Sequence, residues 1–182
     1  MLWRVHRTVG DHVLAWNALR QWGPAPLMRW DPHPPPPAVH PAHGVSYTAT
    51  DLTTAIVEAF GATRAIDPGA GRPRATSWSP VRPLRLLDLT DDWALTNGAG
   101  AALAAAPRST CRRWARAIHA AWPDLDGLWV NSTFTNRANV VLWRHAEFAF
   151  PDAPAFSEQL DQEQLWGILT TITARYPSYR LI

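Results

Sequence analysis

The alternation of hydrophobic and polar residues predicts several short strands along the chain. In residues 45–49, Val45, Tyr47 and Ala49 alternate with polar side chains, which is the period of a strand with one face toward a core. Apolar runs bounded by turn-forming residues indicate further strands, of which the run over residues 84–89 is predicted to be buried. The predicted strands cover residues 2–8, 45–49, 84–89, 127–132, 138–144 and 179–182.

A helical period appears in four other segments. The clearest follows residue 51, where Leu52, Ala55, Ile56, Ala59 and Phe60 form one apolar stripe. We expect Asp51 or Thr50 to cap this helix, and Ser109 to cap a later one. The predicted helices cover residues 12–20, 52–60, 109–121 and 161–175.

Proline and glycine mark two long irregular segments. Residues 29–44 read RWDPHPPPPAVHPAHG, in which four consecutive prolines remove backbone donors and favour extended polyproline structure. We therefore expect a stiff surface loop at about residues 31–43, and a second irregular segment at about 64–83. Because strands and helices neither alternate regularly nor separate into blocks, the predicted fold class is α+β. We expect one domain over residues 1–182, with a mixed or antiparallel sheet and flanking helices.

The composition is that of a folded protein with a small positive charge. All 17 basic residues are Arg, and the formal net charge of +2 suits an anionic small molecule better than nucleic acid. Cys111 is the single cysteine, so neither a disulfide nor a thiolate zinc site is expected. The sequence shows neither a long uncharged segment nor an apolar signal core, so we expect a cytoplasmic protein without membrane insertion.

Glu58 is the residue that local structure does not explain. It falls about 120° from the apolar stripe of its helix, taking 100° per residue. It lies too far from Asp51 for a capping box, and no Arg follows or precedes it at helical-pair spacing. A solvated glutamate is one interpretation. The other is a functional carboxylate at the rim of a cleft, close to Tyr47 at the end of the preceding strand.

Several segments, taken in order, carry a resemblance to a known family. They are LWRVHR at the start, MRWDP around Arg29, SYTATDLTTAIVEAF, LRLLDLT, CRRWARAIHAAWPDLDGLWVNS ending at Ser132, and NVVLW. Together they resemble the RES domain family, named for an Arg, a Glu and a Ser. The resemblance implies a fold similar to ADP-ribosyltransferases. It also implies an NAD-degrading enzyme, which cleaves the nicotinamide–ribose bond by hydrolysis or phosphorolysis as the toxin of a toxin–antitoxin pair.

The resemblance also implies roles for individual residues. Arg29 corresponds to the family's Arg, Glu58 to its catalytic carboxylate, and Tyr47 to its aromatic residue near nicotinamide. Ser132 corresponds to the family's Ser, and Arg4 is a further substrate-binding candidate. NAD would be the substrate, no metal is implied, and the implied partner is an antitoxin with a helix-turn-helix domain. The segment between Arg29 and Tyr47 is longer than is usual in the family.

These roles are chemically consistent with NAD. An Arg can bind the diphosphate through two parallel hydrogen bonds, and a Tyr face can cover the cationic nicotinamide. Cleavage of the glycosidic bond develops positive charge on the ribose, which an ionised carboxylate stabilises. Structural alternatives stay open: Arg29 could be solvated, Tyr47 could be core packing, Ser132 could be turn chemistry and Arg4 could form a structural salt bridge.

Other functions remain as alternatives of different weight. The same domain could transfer ADP-ribose to a protein, or it could bind a nucleotide or partner without catalysis. His33, His40 and His43 match no standard metal-site spacing, and we expect the prolines to hold them apart. Direct nucleic-acid binding through the arginines in and just before the third predicted helix is not expected, because solvated helix charge explains those residues. They are Arg108, Arg112, Arg113 and Arg116.

Overall fold

A seven-stranded sheet forms the centre of the protein in a computed structural model that describes residues 1–100 and 102–182. Within these residues the strands, in chain order, are β1 (Leu2–His6), β2 (Trp22–Gly23), β3 (Ala38–Val39), β4 (Val45–Ala49), β5 (Ala65–Ile66), β6 (Arg74–Trp78), β7 (Leu86–Asp88), β8 (Gly127–Asn131), β9 (Ala138–Trp143), β10 (Phe156–Gln159) and β11 (Arg180–Leu181). The α-helices are α1 (Leu52–Ala59), α2 (Trp93–Thr96), α3 (Arg108–Ala121) and α4 (Glu163–Arg175). Short 3-10 helices cover Pro41–His43, Leu103–Ala105 and Arg144–Ala149.

The main sheet is mixed. Its spatial order is β10, β6, β1, β4, β9, β8 and β7. Neighbouring strands are antiparallel except for β7 and β8, which are parallel. Two small pairs, β2 with β3 and β5 with β11, lie outside it. The predicted α+β class is therefore confirmed. Among the described residues, no helix is both long and apolar enough to cross a membrane.

Helices cover one face of the sheet in two separate groups. The buried side of α3 packs with Val45, Val141 and Trp143 of the central strands. Ile56 and Val57 of α1 pack instead with α4 and with residues around β5 and β6. Because the helices form two clusters rather than one layer, the sheet face between them is open to a cleft.

The predicted segment around β4 and α1 forms as expected. Asp51 caps α1 by accepting the backbone N–H of Thr54 at 2.9 Å. The strands predicted at residues 127–132 and 138–144 and the helix at 161–175 also form, with ends shifted by one or two residues. The later helix is present as α3, but Ser109 does not cap it, because the N-cap position is Pro107.

The helix predicted over residues 12–20 is wrong. These residues form turns and coil, and Arg20 instead bridges to Val45 in the manner of an added strand. The carbonyls of Trp16 and Ala18 accept hydrogen bonds from Arg4 Nη1, each at 2.9 Å. A long-range side chain therefore replaces the bonds that a helix would have made.

Two other predictions also need correction. The irregular segment expected at residues 64–83 contains β6, an interior strand in which residues 75–78 are buried on both faces. Its flanking Pro and Gly residues hid the strand pattern. In contrast, β7 lies at the edge of the sheet, so residues 86–87 are only partly buried and Asp88 is exposed.

The proline-rich segment is less of a surface loop than expected. It begins with Asp31, Pro32 and His33 buried, and its exposed residues are 35–37, 39, 41 and 42. β3 pairs antiparallel with β2, which precedes the proline-rich segment, so the end of the segment lies beside the chain that enters it. His33, His40 and His43 consequently gather, with ring centroids 5.9 to 6.4 Å apart, and the expectation that the prolines separate them is wrong.

The gathered rings continue onto α3, where His119 stacks on His43 with ring centroids 4.9 Å apart. Within residues 1–100 and 102–182, no group of three or more His, Cys, Asp or Glu side chains has a geometry that could hold a metal ion. The ring contacts pack the proline-rich segment against α3.

This packing predicts sensitivity to acid. Burial lowers the pKa of His33 from 6.5 to about 4. The unfolded chain thus binds a proton that the folded chain refuses, and stability that is present above pH 6.5 is lost as the pH falls toward 4. We expect urea unfolding to show this loss, and a shallower dependence in His33→Gln.

The free energy of unfolding should still depend on pH in His33→Gln, because burial also lowers the pKa of His6 to about 4. His12 is exposed, so His12→Gln is the matched control and should keep the slope of the unaltered protein. Equal slopes for all three proteins would contradict the prediction.

Candidate functional site

A cleft with two connected lobes opens beside β4 and α1. The larger lobe has a volume of about 430 Å³ and is lined mainly by β1, β4 and the end of α1. The smaller lobe, of about 90 Å³, is lined by the loop before Asp31, by β8 and β9, and by the turn between them. Four residues line both lobes: Met28, Tyr47, Glu58 and Asn139. They mark the junction of the lobes.

The larger lobe lies where two strands of the sheet diverge. β1 pairs with β4 only through Trp3 opposite Ala49, whereas β4 pairs with β9 over five residues. Residues of both diverging strands, including Arg4 and Tyr47, line the lobe. Its volume falls within the range of about 300–1,000 Å³ that is typical of small-molecule sites.

Asp31 holds Tyr47 in place at the junction. The Asp31 carboxylate is fully buried and accepts hydrogen bonds from Tyr47 Oη at 2.8 Å, Arg20 Nη2 at 2.7 Å and the Ala25 backbone N–H at 2.7 Å. Tyr47 Oη in turn accepts the Trp30 backbone N–H at 3.0 Å. A buried charge is strongly destabilising without such partners, so this network holds the loop and the strand together.

The network also decides what Tyr47 can do. Burial, reinforced by Asp31, raises the pKa of the Tyr47 hydroxyl well above 10. The hydroxyl therefore stays protonated and engaged with the protein at neutral pH. The part of Tyr47 that remains for a ligand is its aromatic ring, a type of group that attracts cations.

Glu58 lies at the junction of the two lobes. It is partly buried on α1, and its Oε1 accepts a hydrogen bond from Asn139 Nδ2 at 2.8 Å. α1 is capped by Asp51, and Thr54 Oγ1 lies 3.1 Å from Thr135 Oγ1 in the β8–β9 turn. Glu58 thus belongs to a helix that is fixed at its start.

Arg29 lines the smaller lobe together with Tyr47 and Glu58. Its Nη1 donates to the Ala106 carbonyl and lies 3.6 Å from Cys111 Sγ. Arg108 Nε donates to Leu27 O at 3.0 Å, and Arg112 Nη1 donates to Met28 O at 2.9 Å. Two arginines of α3 therefore hold the loop that presents Arg29.

Arg4 lies in the larger lobe, but it has a structural task. Its Nη1 donates to the Trp16 and Ala18 carbonyls and so supports the segment that the predicted helix would have occupied. Burial, together with the nearby charge of Arg20, lowers the pKa of Arg4 to about 10. Arg4 is still charged at neutral pH, and with Arg20 it makes this lobe basic.

Ser132 shapes the turn that closes the smaller lobe. It is buried, and its Oγ accepts the backbone N–H groups of Phe134 and Thr135, each at 3.2 Å. Thr133 and Phe134, rather than Ser132, line the lobe. A Cβ added at Gly61 would meet the Phe134 ring at 2.5 Å, so the turn rests directly on the end of α1.

The structure thus brings together three of the candidate residues, Arg29, Tyr47 and Glu58, at one lobe. Arg4 lies in the other lobe, and Ser132 lies behind the wall. Sequence reasoning missed Asp31 and Asn139. The available signals were an acidic residue followed by proline, and a single Asn at the start of an otherwise apolar strand.

Comparisons with known proteins agree with this fold. A family model described as "RES domain" matches residues 1–165. A chain of the crystal structure of the M. tuberculosis MbcT–MbcA toxin–antitoxin complex has a similar fold, with a TM-score of 0.57 and 19% sequence identity. The match covers 87% of this chain and 82% of that chain. Comparison with curated proteins gave no match.

The Asp31 network predicts a specific loss of stability. Tyr47→Phe removes one donor to the buried Asp31 carboxylate and the acceptor of the Trp30 N–H. We expect the free energy of unfolding to fall by about 1–3 kcal/mol in urea titration.

Tyr176 is only partly buried and its hydroxyl makes no hydrogen bond within the described residues, so Tyr176→Phe is the matched control. We expect that change to stay within about 0.5 kcal/mol. Equal effects of the two substitutions would contradict the importance of the network.

Proposed function

The chain belongs to the RES domain family, and we propose that it is an NAD-degrading enzyme that cleaves the bond between nicotinamide and ribose. The observation that carries the proposal is the junction of the two lobes, where a Tyr ring and a Glu carboxylate lie together. A bound NAD would place its flat cationic ring and its ribose at such a junction, with the rest of the molecule extending along the cleft, whose two lobes contain Arg29 and Arg4.

Each residue has a role that follows from its chemistry. The Tyr47 ring covers the nicotinamide, whose positive charge is attracted to the ring face. Arg29 binds phosphate or ribose oxygens, and Arg4 adds positive charge in the larger lobe. Ser132 shapes the turn that carries Thr133 and Phe134, a role that its buried hydroxyl supports.

The proposed step breaks one bond and forms another. The bond between the ribose anomeric carbon and the nicotinamide nitrogen breaks, and its electron pair leaves with neutral nicotinamide. The Glu58 carboxylate stabilises the positive charge that develops on the ribose. An oxygen of water or phosphate then bonds to the anomeric carbon and loses its proton to Glu58 or to solvent.

The biological setting is part of the same proposal. We propose that the protein is the toxin of a toxin–antitoxin pair that acts in the cytoplasm, where NAD is available. The similar solved structure concerns a toxin–antitoxin complex, which supports this setting. The expected partner is an antitoxin with a helix-turn-helix domain that covers the cleft. Coexpression of such a partner should suppress both growth inhibition and NAD loss.

Nicotinamide release tests the function directly. The purified protein is incubated with NAD, with and without phosphate, and the products are separated by chromatography. Free ADP-ribose indicates hydrolysis, and a phosphorylated ADP-ribose indicates phosphorolysis. Release that requires cell extract, with label transferred from NAD to protein, favours the alternative of protein ADP-ribosylation. Tight NAD binding with no release under any condition contradicts the proposal and favours a silent binding domain.

Glu58→Gln provides the sharpest variant. It keeps the size of the side chain and can still hydrogen-bond Asn139, but it removes the charge that the transition state needs. We expect nicotinamide release to fall by about 100-fold or more.

Glu163 is exposed at the start of α4, so Glu163→Gln changes the charge equally without touching the cleft. Its rate should equal that of the unaltered protein. If Glu58→Gln keeps full activity, Glu58 has no catalytic role.

Arg29→Lys tests substrate binding by the smaller lobe. Lysine keeps the charge but loses the planar pair of donors that match two oxygens of a phosphate. We expect KM for NAD to rise by about 10-fold, with a smaller change in kcat, because one good charged hydrogen bond corresponds to about that factor.

Arg113→Lys on the exposed side of α3 is the control and should leave KM unchanged. An unchanged KM in Arg29→Lys would remove Arg29 from the binding site.

A further inference from the structure

We infer that Asn139 is a further residue of the reaction centre, which positions Glu58 through its amide N–H and accepts a hydrogen bond from a hydroxyl of the substrate ribose. The inference rests on the proposed function and deepens it, because it requires a substrate with a hydroxylated sugar. Three observations support it: the position of Asn139 in the sheet, its hydrogen bond to Glu58, and the lack of a hydrogen-bond donor to its buried amide oxygen.

Asn139 lies inside the sheet rather than in a loop. On β9 it is opposite Ala49 of β4 on one side and Val130 of β8 on the other. Tyr47 is opposite Val141, two residues further along β9, so Asn139 and Tyr47 lie on the same face. An amide among apolar cross-strand neighbours is unfavourable unless its polar atoms are used.

One end of the Asn139 amide is used by Glu58. The distance from Nδ2 to Glu58 Oε1 is 2.8 Å. A carboxylate can only accept, so the nitrogen of the amide must face Glu58, and this fixes the orientation of the amide. The bond restrains the Glu58 carboxylate through Oε1, and Oε2 makes no hydrogen bond with the described residues.

The other end of the amide, the acceptor oxygen Oδ1, is buried and has no hydrogen-bond partner among the described residues. Buried polar atoms in folded proteins nearly always have a hydrogen-bond partner, so we expect the ligand to supply a donor to this oxygen. Asn139 also lines both lobes, as Glu58 and Tyr47 do.

The donor follows from the chemistry of the bond that breaks. Glu58 acts at the anomeric carbon, and the donor attached to the neighbouring carbon is the 2′-hydroxyl of the ribose. The carboxamide and adenine amino groups lie farther from the anomeric carbon. Asn139 and Glu58 together would therefore select a ribosyl substrate over its deoxy analogue.

Two substitutions distinguish the role of the amide donor from that of the amide acceptor. Asn139→Asp keeps an acceptor oxygen but replaces the donor to Glu58 by a second carboxyl. Asn139→Leu has nearly the same size and removes both donor and acceptor. Asn17 is exposed and does not line either lobe, so Asn17→Asp and Asn17→Leu are the matched controls.

Steady-state kinetics of nicotinamide release should distinguish the two variants. For Asn139→Asp we expect kcat to fall by about 10-fold or more with KM changed less than about threefold, since only the positioning of Glu58 is lost. Its rate should also rise with pH between 6 and 8 where that of the unaltered protein is flat, because adjacent carboxyls share a proton at lower pH. For Asn139→Leu we expect kcat to fall and KM to rise by about 10-fold.

A contact that only stabilises the fold would give another pattern. Both Asn139 variants would then lower the melting temperature, keep the same pH profile and lose activity only in proportion to unfolded protein. That pattern, or kinetics equal to those of the Asn17 controls, overturns the inference. The ribose contact is also overturned if the unaltered protein shows no preference for NAD over its 2′-deoxyribosyl analogue, or if Asn139→Leu keeps that preference unchanged.

A spectroscopic readout separates this inference from the proposed function. The chain has four glutamates, so carboxyl-labelled glutamate gives four NMR signals, and Glu58→Gln assigns one of them. We expect the Glu58 signal to move in both Asn139 variants and to stay in place in the Asn17 controls. An unmoved signal overturns the contact whether or not the protein degrades NAD. A moved signal in a protein that releases no nicotinamide overturns the proposed function and the ribose contact, but retains the positioning of Glu58.

Discussion

The buried carboxylate of Asp31 is the constraint on which the architecture around the cleft depends. A charge without solvent must be surrounded by donors, and Asp31 draws these from Arg20, Tyr47 and the Ala25 backbone. The three donors come from the segment before β2, from β4 and from the loop that carries Arg29. One side chain thus links the chain segments on three sides of the junction. The orientation of the Tyr47 ring is a consequence of that link, because both functions of its hydroxyl are already used.

The cleft forms where the pairing of β1 with β4 is interrupted and where the chain near residues 15–18 is not helical. β1 and β4 share a single pair of opposed residues, and the carbonyls that would otherwise require a helix near residues 15–18 are satisfied by Arg4. An arginine is well suited to this task, because it offers several donors in one plane and remains charged when buried. Arg4 therefore both contributes positive charge to the larger lobe and supports the wall of that lobe.

The sequence was most informative where local structure dominates. The strand around Tyr47, the cap at Asp51 and the apolar stripe of α1 follow from short-range rules, and they place Glu58 off the core. The helix expected near residue 16 failed because Arg4, which is distant in sequence, competes for its carbonyls. Asp31 and Asn139 were missed for a related reason, since their partners are far apart along the chain and no periodicity reveals them. For Ser132, turn chemistry was an open alternative, and its hydrogen bonds are those of a turn.

The turn between β8 and β9 contacts α1 near both ends of the helix. Thr135 hydrogen-bonds Thr54 near its start, and the Phe134 ring packs on Gly61 just after its end. The wall of the smaller lobe and the helix that carries Glu58 are therefore one mechanical unit. A sequence change that enlarges the lobe by moving the turn would also move the carboxylate. Substrate range and alignment of the reacting group cannot be altered independently at this wall, so variation in substrate size is more readily accommodated in the larger lobe. The missing side chain of Gly61 sets this coupling, although glycine takes no part in the chemistry.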